Sequence, residues 1–138
     1  MRELIFTVQP EEHSTSGITA SNNRWCDFGI PGRELFQSVK ILFNGHGNNN
    51  MKPDFLRVIQ NNQHHTSVPR ENIYTISFGL SPEDEQPNGT TNFSRIDSVC
   101  LKFSFNEFQY GPPLKVKVFA PHFNVLRIEG GMCGLAYC

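Results

Sequence analysis

Residues Ser77–Asp97 read SFGLSPEDEQPNGTTNFSRID, and the fold turns on how this stretch is read. An alternating segment, Ile73 to Leu80, runs into it, and a second, Ser98 to Phe105, runs out. Between them, Ser81-Pro82 ends the first strand, because proline has no N–H for a sheet ladder. Pro87-Asn88-Gly89 is a turn signal: Pro fixes φ, and Asn or Gly accepts a positive φ. Thr90, Thr91, Asn92 and Ser94 carry short polar side chains that bond neighbouring backbone groups where no ladder does. The stretch is expected to be a large ordered loop between two strands of an all-β domain.

The same reading extends outward on both sides. Upstream, Glu3 to Val8 alternates, with Leu4, Phe6 and Val8 on one face and Ile5 and Thr7 on the other. Ser38 to Asn44 does likewise, with Val39, Ile41 and Phe43 together. Pro10 to Gln37 is a long polar connection in which Trp25 is expected as a packing anchor, and Gly45 to Asn50 reads as a flexible turn. Pro53 to Gln60 reads as a short helix with Phe55, Val58 and Ile59 on its apolar face. In Ile73 to Leu80 the heavier face is Tyr74, Ile76, Phe78 and Leu80. Downstream, Ser98 to Phe105 shows the cleanest alternation in the chain, with Val99, Leu101, Phe103 and Phe105 on one side. Gly111-Pro112-Pro113 marks a turn. Leu114 to Ile128 is a strand bent or broken at Pro121, Gly130-Gly131 turns the chain, and Met132 to Tyr137 is the last strand. About six strands, one short helix and long loops indicate a β-sandwich. The expected core is Leu4, Phe6, Val39, Ile41, Phe43, Ile76, Phe78, Leu101, Phe103, Val116, Val118, Val125 and Leu135.

Composition narrows the function classes. The 138 residues suffice for one domain, and the 12 phenylalanines suit strands. A formal net charge of −1 gives no basic footprint for nucleic acid. No apolar run approaches the roughly 18 residues of a membrane span. Cys26, Cys100, Cys133 and Cys138 show no zinc or redox spacing and are expected as structural thiols, Cys100 as a small buried hydrophobe in mid-strand. His64-His65 is a weak metal candidate, because neighbouring residues on a strand point to opposite faces. Glu83-Asp84-Glu85 more simply forms a solvated face than an acid–base pair. No nucleophile elbow, phosphate loop or zinc-protease motif appears, and no cofactor is expected. Arg95 and Asp97 are expected to brace the loop, Arg95 through its fork of donors.

Three segments carry a family resemblance. Arg2 to Gln9 (RELIFTVQ), the Pro82-Glu83 to Asp97 loop, and Asn124 to Tyr137 (NVLRIEGGMCGLAY) resemble, in order and spacing, the C-terminal part of the major capsid proteins of large nucleocytoplasmic DNA viruses. Glu129-Gly130 departs from the family's usual pair. The loop residues that match are Pro82, Glu83, Gln86, Pro87, Gly89, Asn92, Ser94, Arg95 and Asp97, a structural motif with no catalytic role implied. The resemblance implies a double jelly roll. Residues 1–138 would then be its second jelly roll, with Glu3–Val8 as strand D, Ser38–Asn44 as E, Ile73–Leu80 as F, Ser98–Phe105 as G, Leu114–Ile128 as H and Met132–Tyr137 as I. Strands B and C and the first jelly roll would be missing. It further implies a non-enzymatic structural protein of the virion, partnered by itself and the full capsid protein in homotrimeric capsomers, with no direct nucleic-acid contact and no membrane span. The rival reading is a carbohydrate- or ligand-binding jelly-roll module, since sandwiches host many functions. A cupin-like metalloenzyme fails on histidine spacing.

Overall fold

The structure is a computed structural model and describes residues 1–11, 27–29, 33–47, 50–105 and 113–137. Trp25, Cys26, Cys138 and the Gly111-Pro112 turn lie outside the described residues.

Alternation becomes sheet as expected, with two layers and a hairpin. Strand β1 (Glu3–Pro10) is central in the first sheet, between β4 (Ile73–Ser77) and β6 (Leu114–Phe119), both antiparallel to it. The second sheet has the order β3-β2-β5, from β2 (Ser38–Phe43), β3 (His46–Gly47) and β5 (Val99–Ser104). Strands β7 (Leu126–Glu129) and β8 (Met132–Leu135) form a separate hairpin. Its two-residue turn, Gly130-Gly131, has φ of 59° and 79°, values that glycine adopts without steric cost. Asn44-Gly45, φ 49° and 80°, makes the same kind of turn between β2 and β3. What was expected to be a flexible turn after Asn44 is therefore partly a short returning strand, set by an Asn-Gly pair.

The core lies between the two sheets. Phe6, which is 0% exposed, stacks on Tyr74 at 5.3 Å and meets Phe103 edge-on at 5.7 Å. Phe36 joins the group, 4.9 Å from Tyr74 and 5.4 Å from Phe103. Leu4, Val8, Val39, Ile41 and Ile76 complete the buried set, with Phe43, Phe78, Leu101, Phe103 and Val116 half-buried against it. Three expected core members are not inside: Val118, Val125 and Leu135 are 46%, 55% and 62% exposed. Leu80, placed with the heavy face of its strand, is also exposed because the strand stops at Ser77.

A helix, α1, covers the outer face of β4. It opens as a π-helix over Phe55–Ile59 and continues as α-helix over Gln60–His64. The Asn61 side chain donates to the Arg57 carbonyl at 2.6 Å and accepts from Thr75 Oγ1 at 3.0 Å, tying the wide turn to the strand. The buried apolar residue is Leu56, whereas Val58 and Ile59 of the expected apolar stripe are exposed. A 3.6-residue wheel misplaces faces in a π-helix because each turn holds an additional residue. Nearby, Glu34 accepts from Tyr74 Oη and pairs with Arg57 Nε at 3.2 Å. Burial, and then this carboxylate, push the Tyr74 phenol above its ordinary range.

The expected strand letters need correction. With β1 as D and β2 as E, a jelly roll, whose two sheets run B-I-D-G and C-H-E-F, would put β1 beside β5 and β8, and β2 beside β4 and β6. Instead the order is β6-β1-β4, with β2 on β5. That is the order H-E-F, so β1 takes the place of E, β4 of F and β6 of H. Strand β5 keeps the place of G, and β2 lies along its edge as an additional strand. Of the two forms expected for Leu114–Ile128, bent or broken at Pro121, the chain takes the broken one, with β6 and β7 in different sheets. Cys100 and Cys133 are exposed free thiols, so Cys100 is not the buried hydrophobe expected of it.

Candidate functional site

The loop between β4 and β5 is built from side-chain clamps. Pro82 is buried at its start. Asn88 closes the first half on itself. Its Oδ1 accepts from the Ser81 N–H at 3.2 Å, and its Nδ2 donates to the Ser81 carbonyl at 2.9 Å and to Asp84 Oδ2 at 2.9 Å. The crossing is tight: a Cβ added at Gly79 would lie 2.6 Å from the Gly89 carbonyl oxygen. Gly89 itself has φ of 135°. Glycine at 79 and 89 thus lets two backbone segments touch.

In the second half, Asn92 Oδ1 accepts from the Ser94 N–H at 3.0 Å and starts a 3-10 turn over Phe93–Arg95. Phe93 is the anchor, with its ring 5.7 Å from Phe78 and 5.8 Å from Phe43. The loop also ties to β1: the Thr91 N–H donates to the Met1 carbonyl at 2.9 Å, and Arg2 donates to the Asp84 carbonyl. Arg2 in turn stacks over the Phe123 ring at 4.4 Å. At the loop's exit, Ser98 and Asn44 exchange hydrogen bonds across the β2–β5 end, at 2.9 and 3.0 Å.

The expected motif residues divide into two groups. Pro82 is buried, Glu83, Gly89 and Asn92 sit in the clamps, and Asn92 holds the Ser94 N–H. Gln86, Pro87, Ser94, Arg95 and Asp97 are exposed, and among the described residues no ion pair joins Arg95 to Asp97. Arg95 enters its turn through its backbone N–H, and the clamps described in the loop come from the amides of Asn88 and Asn92 and from the Phe93 ring. Asn88 carries a sequence signal, an Asn before Gly, but it marks a turn rather than a clamp, and nothing local marks Phe93, an aromatic between polar residues, as the loop's anchor.

His64 and His65 end helix α1 and do not share a ligand. His64 Nδ1 bonds to the Leu80 carbonyl at 2.8 Å. His65 lies between Glu83, with Nδ1 3.1 Å from its Oε1, and Glu3, with Nε2 2.9 Å from its Oε2. Glu83 Oε2 accepts from the Thr66 N–H at 3.1 Å. That bond, with the His65 contact behind it, holds the Glu83 carboxyl below the usual carboxylate range. Among the described residues no group of three or more His, Cys, Asp or Glu side chains could hold a metal ion. No helix there is long and apolar enough to cross a membrane.

The other feature is an uncovered side. Among the described residues, strand β5 is paired only to β2 and β6 only to β1, so each shows an edge with no partner strand there. The adjoining hairpin exposes Leu126, Ile128, Met132 and Leu135. An open concavity of about 430 Å³ beside it is lined by Arg127, Glu129 and Met132 to Ala136, with no aromatic ring for a sugar to stack on.

A family model described as "Large eukaryotic DNA virus major capsid protein" matches residues 1–134. The chain belongs to that family. It is 41% identical over 127 residues to the major capsid protein of Chrysochromulina ericina virus, covering 90% of this chain and 22% of that protein. It is 42% identical over 102 residues to the major capsid protein of Phaeocystis pouchetii virus, covering 72% of this chain and 20% of that protein. The chain therefore spans about a fifth of the length of these relatives. Its fold matches the crystal structure of PBCV-1 VP54 fitted into a reconstruction of the virophage Sputnik, with TM-score 0.79 and 24% identity. That match covers 99% of this chain and 43% of VP54. The sandwich is thus a jelly roll of the capsid-protein kind, and the corrected order β6-β1-β4 is read within that fold.

Proposed function

We propose that the chain serves as the C-terminal jelly-roll part of a capsid shell protein and works by assembly rather than catalysis. The observation that carries this reading is the uncovered side. Free edges on β5 and β6 and an apolar hairpin are a template for further strands, and such edges are normally paired or protected. With β1 in the place of E, the strands that would fill the gap are B, C and D, one more than the sequence suggests. Strand C would pair with β6, D with β5, and B and D would flank β8. Family membership supplies the context, since the matched relatives are named capsid proteins.

In this reading two packed sheets form a stiff block, and the clamped loop 81–97 presents a fixed surface to neighbours. Gln86, Pro87, Arg95 and Asp97 are the exposed residues it offers. The capsomer would be a homotrimer, located in the virion shell, with contacts to its own copies rather than to nucleic acid.

The test places the preceding segment of the matched Chrysochromulina ericina virus protein ahead of Met1. Sedimentation should then report a trimer, and hydrogen exchange should slow along β5, β6 and β8. The chain without that segment should self-associate and unfold over a broad transition. If it is instead a soluble monomer with one sharp unfolding transition, and the joined segment leaves exchange at those edges unchanged, the reading fails.

A further inference from the structure

The Glu3–His65–Glu83 array does something that a loop clamp alone does not require. Glu3 is a carboxylate on the central strand, with only 8% of its side chain exposed, and the His65 side chain is 12% exposed. Glu83, from the loop, is 40% exposed. Each imidazole nitrogen faces a carboxylate oxygen, at 2.9 and 3.1 Å. Nε2 and Glu3 Oε2 are buried and have no other hydrogen-bond partner, and their close contact is not aligned as a formed hydrogen bond. A neutral imidazole has one N–H and one lone pair, whereas an imidazolium has two N–H groups. Two carboxylates on one ring therefore need one proton more than neutral histidine carries. With that proton on the ring, Nε2–H faces Glu3 Oε2 and Nδ1–H faces Glu83 Oε1, so each carboxylate meets a donor.

We propose that this second ring proton is a latch that fastens the loop 81–97 to the core strand. With the proton present, His65 donates to Glu83, and Glu83 in turn holds the Thr66 N–H. When the proton leaves, one N–H remains for two carboxylates. Glu3 Oε2 is closed off from solvent and Glu83 is not, so Glu3 claims the N–H. The Nδ1 lone pair then faces Glu83, which is exposed enough to swing into solvent and release Thr66. The neighbouring charged and titratable groups are committed elsewhere: Arg2 to the Asp84 carbonyl and the Phe123 ring, His64 to the Leu80 carbonyl, and Asp84 to Asn88. The direction is fixed by this geometry. The loop is held on the acid side of the imidazole's titration and freed on the alkaline side.

The latch acts within one chain, so its test does not depend on the capsid reading. The His65 imidazole resonances and the intrinsic-rate-corrected exchange of the Thr66 N–H are followed together from about pH 5 to pH 9. Thr66 protection should fall by about tenfold, with the midpoint of the His65 titration. In Glu3→Gln the amide donates to Nε2 of the neutral ring and turns its oxygen to accept from Nε2–H of the charged ring, so Nδ1–H stays on Glu83 in both states and Thr66 protection should become flat across that range. The proposal is overturned if His65 titrates while Thr66 protection is steady, if His65 does not titrate in the range, or if Glu3→Gln keeps the wild-type pH dependence. Should Glu3→Gln fail to fold, the wild-type co-titration decides alone.

Discussion

Replacing Asn88 by alanine removes the clamp that closes the first half of the loop. Three hydrogen bonds go: the Ser81 N–H loses its acceptor, and the Ser81 carbonyl and Asp84 Oδ2 lose a donor. A hydrogen bond contributes a net 0.5–1.5 kcal/mol, about 1 on average, so three fully counted bonds come to about 3 kcal/mol. The Asp84 end is exposed, where water replaces the lost donor, while the two bonds to Ser81 are partly buried. The expected cost is therefore about 2 kcal/mol, or roughly 30-fold in the equilibrium for opening the loop. Native-state exchange of the Ser81 N–H measures that opening directly, and denaturant unfolding shows whether the loss is local or global. Asn88→Asp is the sharper variant. It keeps the acceptor for Ser81 N–H but puts a carboxylate where an amide now sits 2.9 Å from Asp84 Oδ2, so it should be worse than alanine at neutral pH and recover in acid. A change at Ser81 of less than about threefold in Asn88→Ala would show that the backbone crossing of Gly79 and Gly89 holds the loop unaided, and the clamp argument would be wrong.

Other outcomes follow from the same geometry. Phe6→Ala, at a fully buried ring touching three other aromatics, should cost about 3–5 kcal/mol in denaturant unfolding. Val118→Ala, at a residue 46% exposed, should cost less than about 1; equal losses would mean the two sites are packed alike. Gly79→Ala drives a Cβ to 2.6 Å from a backbone oxygen, so the loop must shift, and a variant as resistant to protease at residues 79–90 as the parent would contradict that contact. Glu83 has a carboxyl held below its ordinary range. It therefore adds stability from the unfolded carboxyl's titration up to the pH at which the His65 latch opens, and that contribution is lost as pH falls through the lower folded value. Glu83→Gln should flatten the acid limb of stability against pH; an unchanged limb would assign that limb to other carboxylates.

What the sequence determined by itself was mostly local. Period-two alternation in Glu3–Val8, Ser38–Asn44 and Ser98–Phe105 marks strands because side chains on extended backbone alternate between faces. Gly130-Gly131 marks a hairpin because two successive positive φ values suit glycine. Five of the buried residues, Leu4, Phe6, Val39, Ile41 and Ile76, were legible from the same alternation. The run from Pro82 to Asp97 was legible as an ordered loop because its turn residues leave no other use for the chain. Pairing was not legible. Strands β1 and β2 have the same pattern, and only long-range hydrogen bonding shows that β1 joins β4 and β6 while β2 joins β5. The buried polar side chains Thr7 and Gln9 were hidden for a related reason: alternation predicts a polar face, not that other elements will cover it. The π-turn of α1 buried Leu56 in place of Val58 because an inserted residue rotates the face. The Glu3–His65–Glu83 array joins residues 62 and 18 positions apart, and no spacing rule reaches that far. Sequence periodicity records which side of the backbone a residue takes, and only the tertiary structure decides what stands on that side.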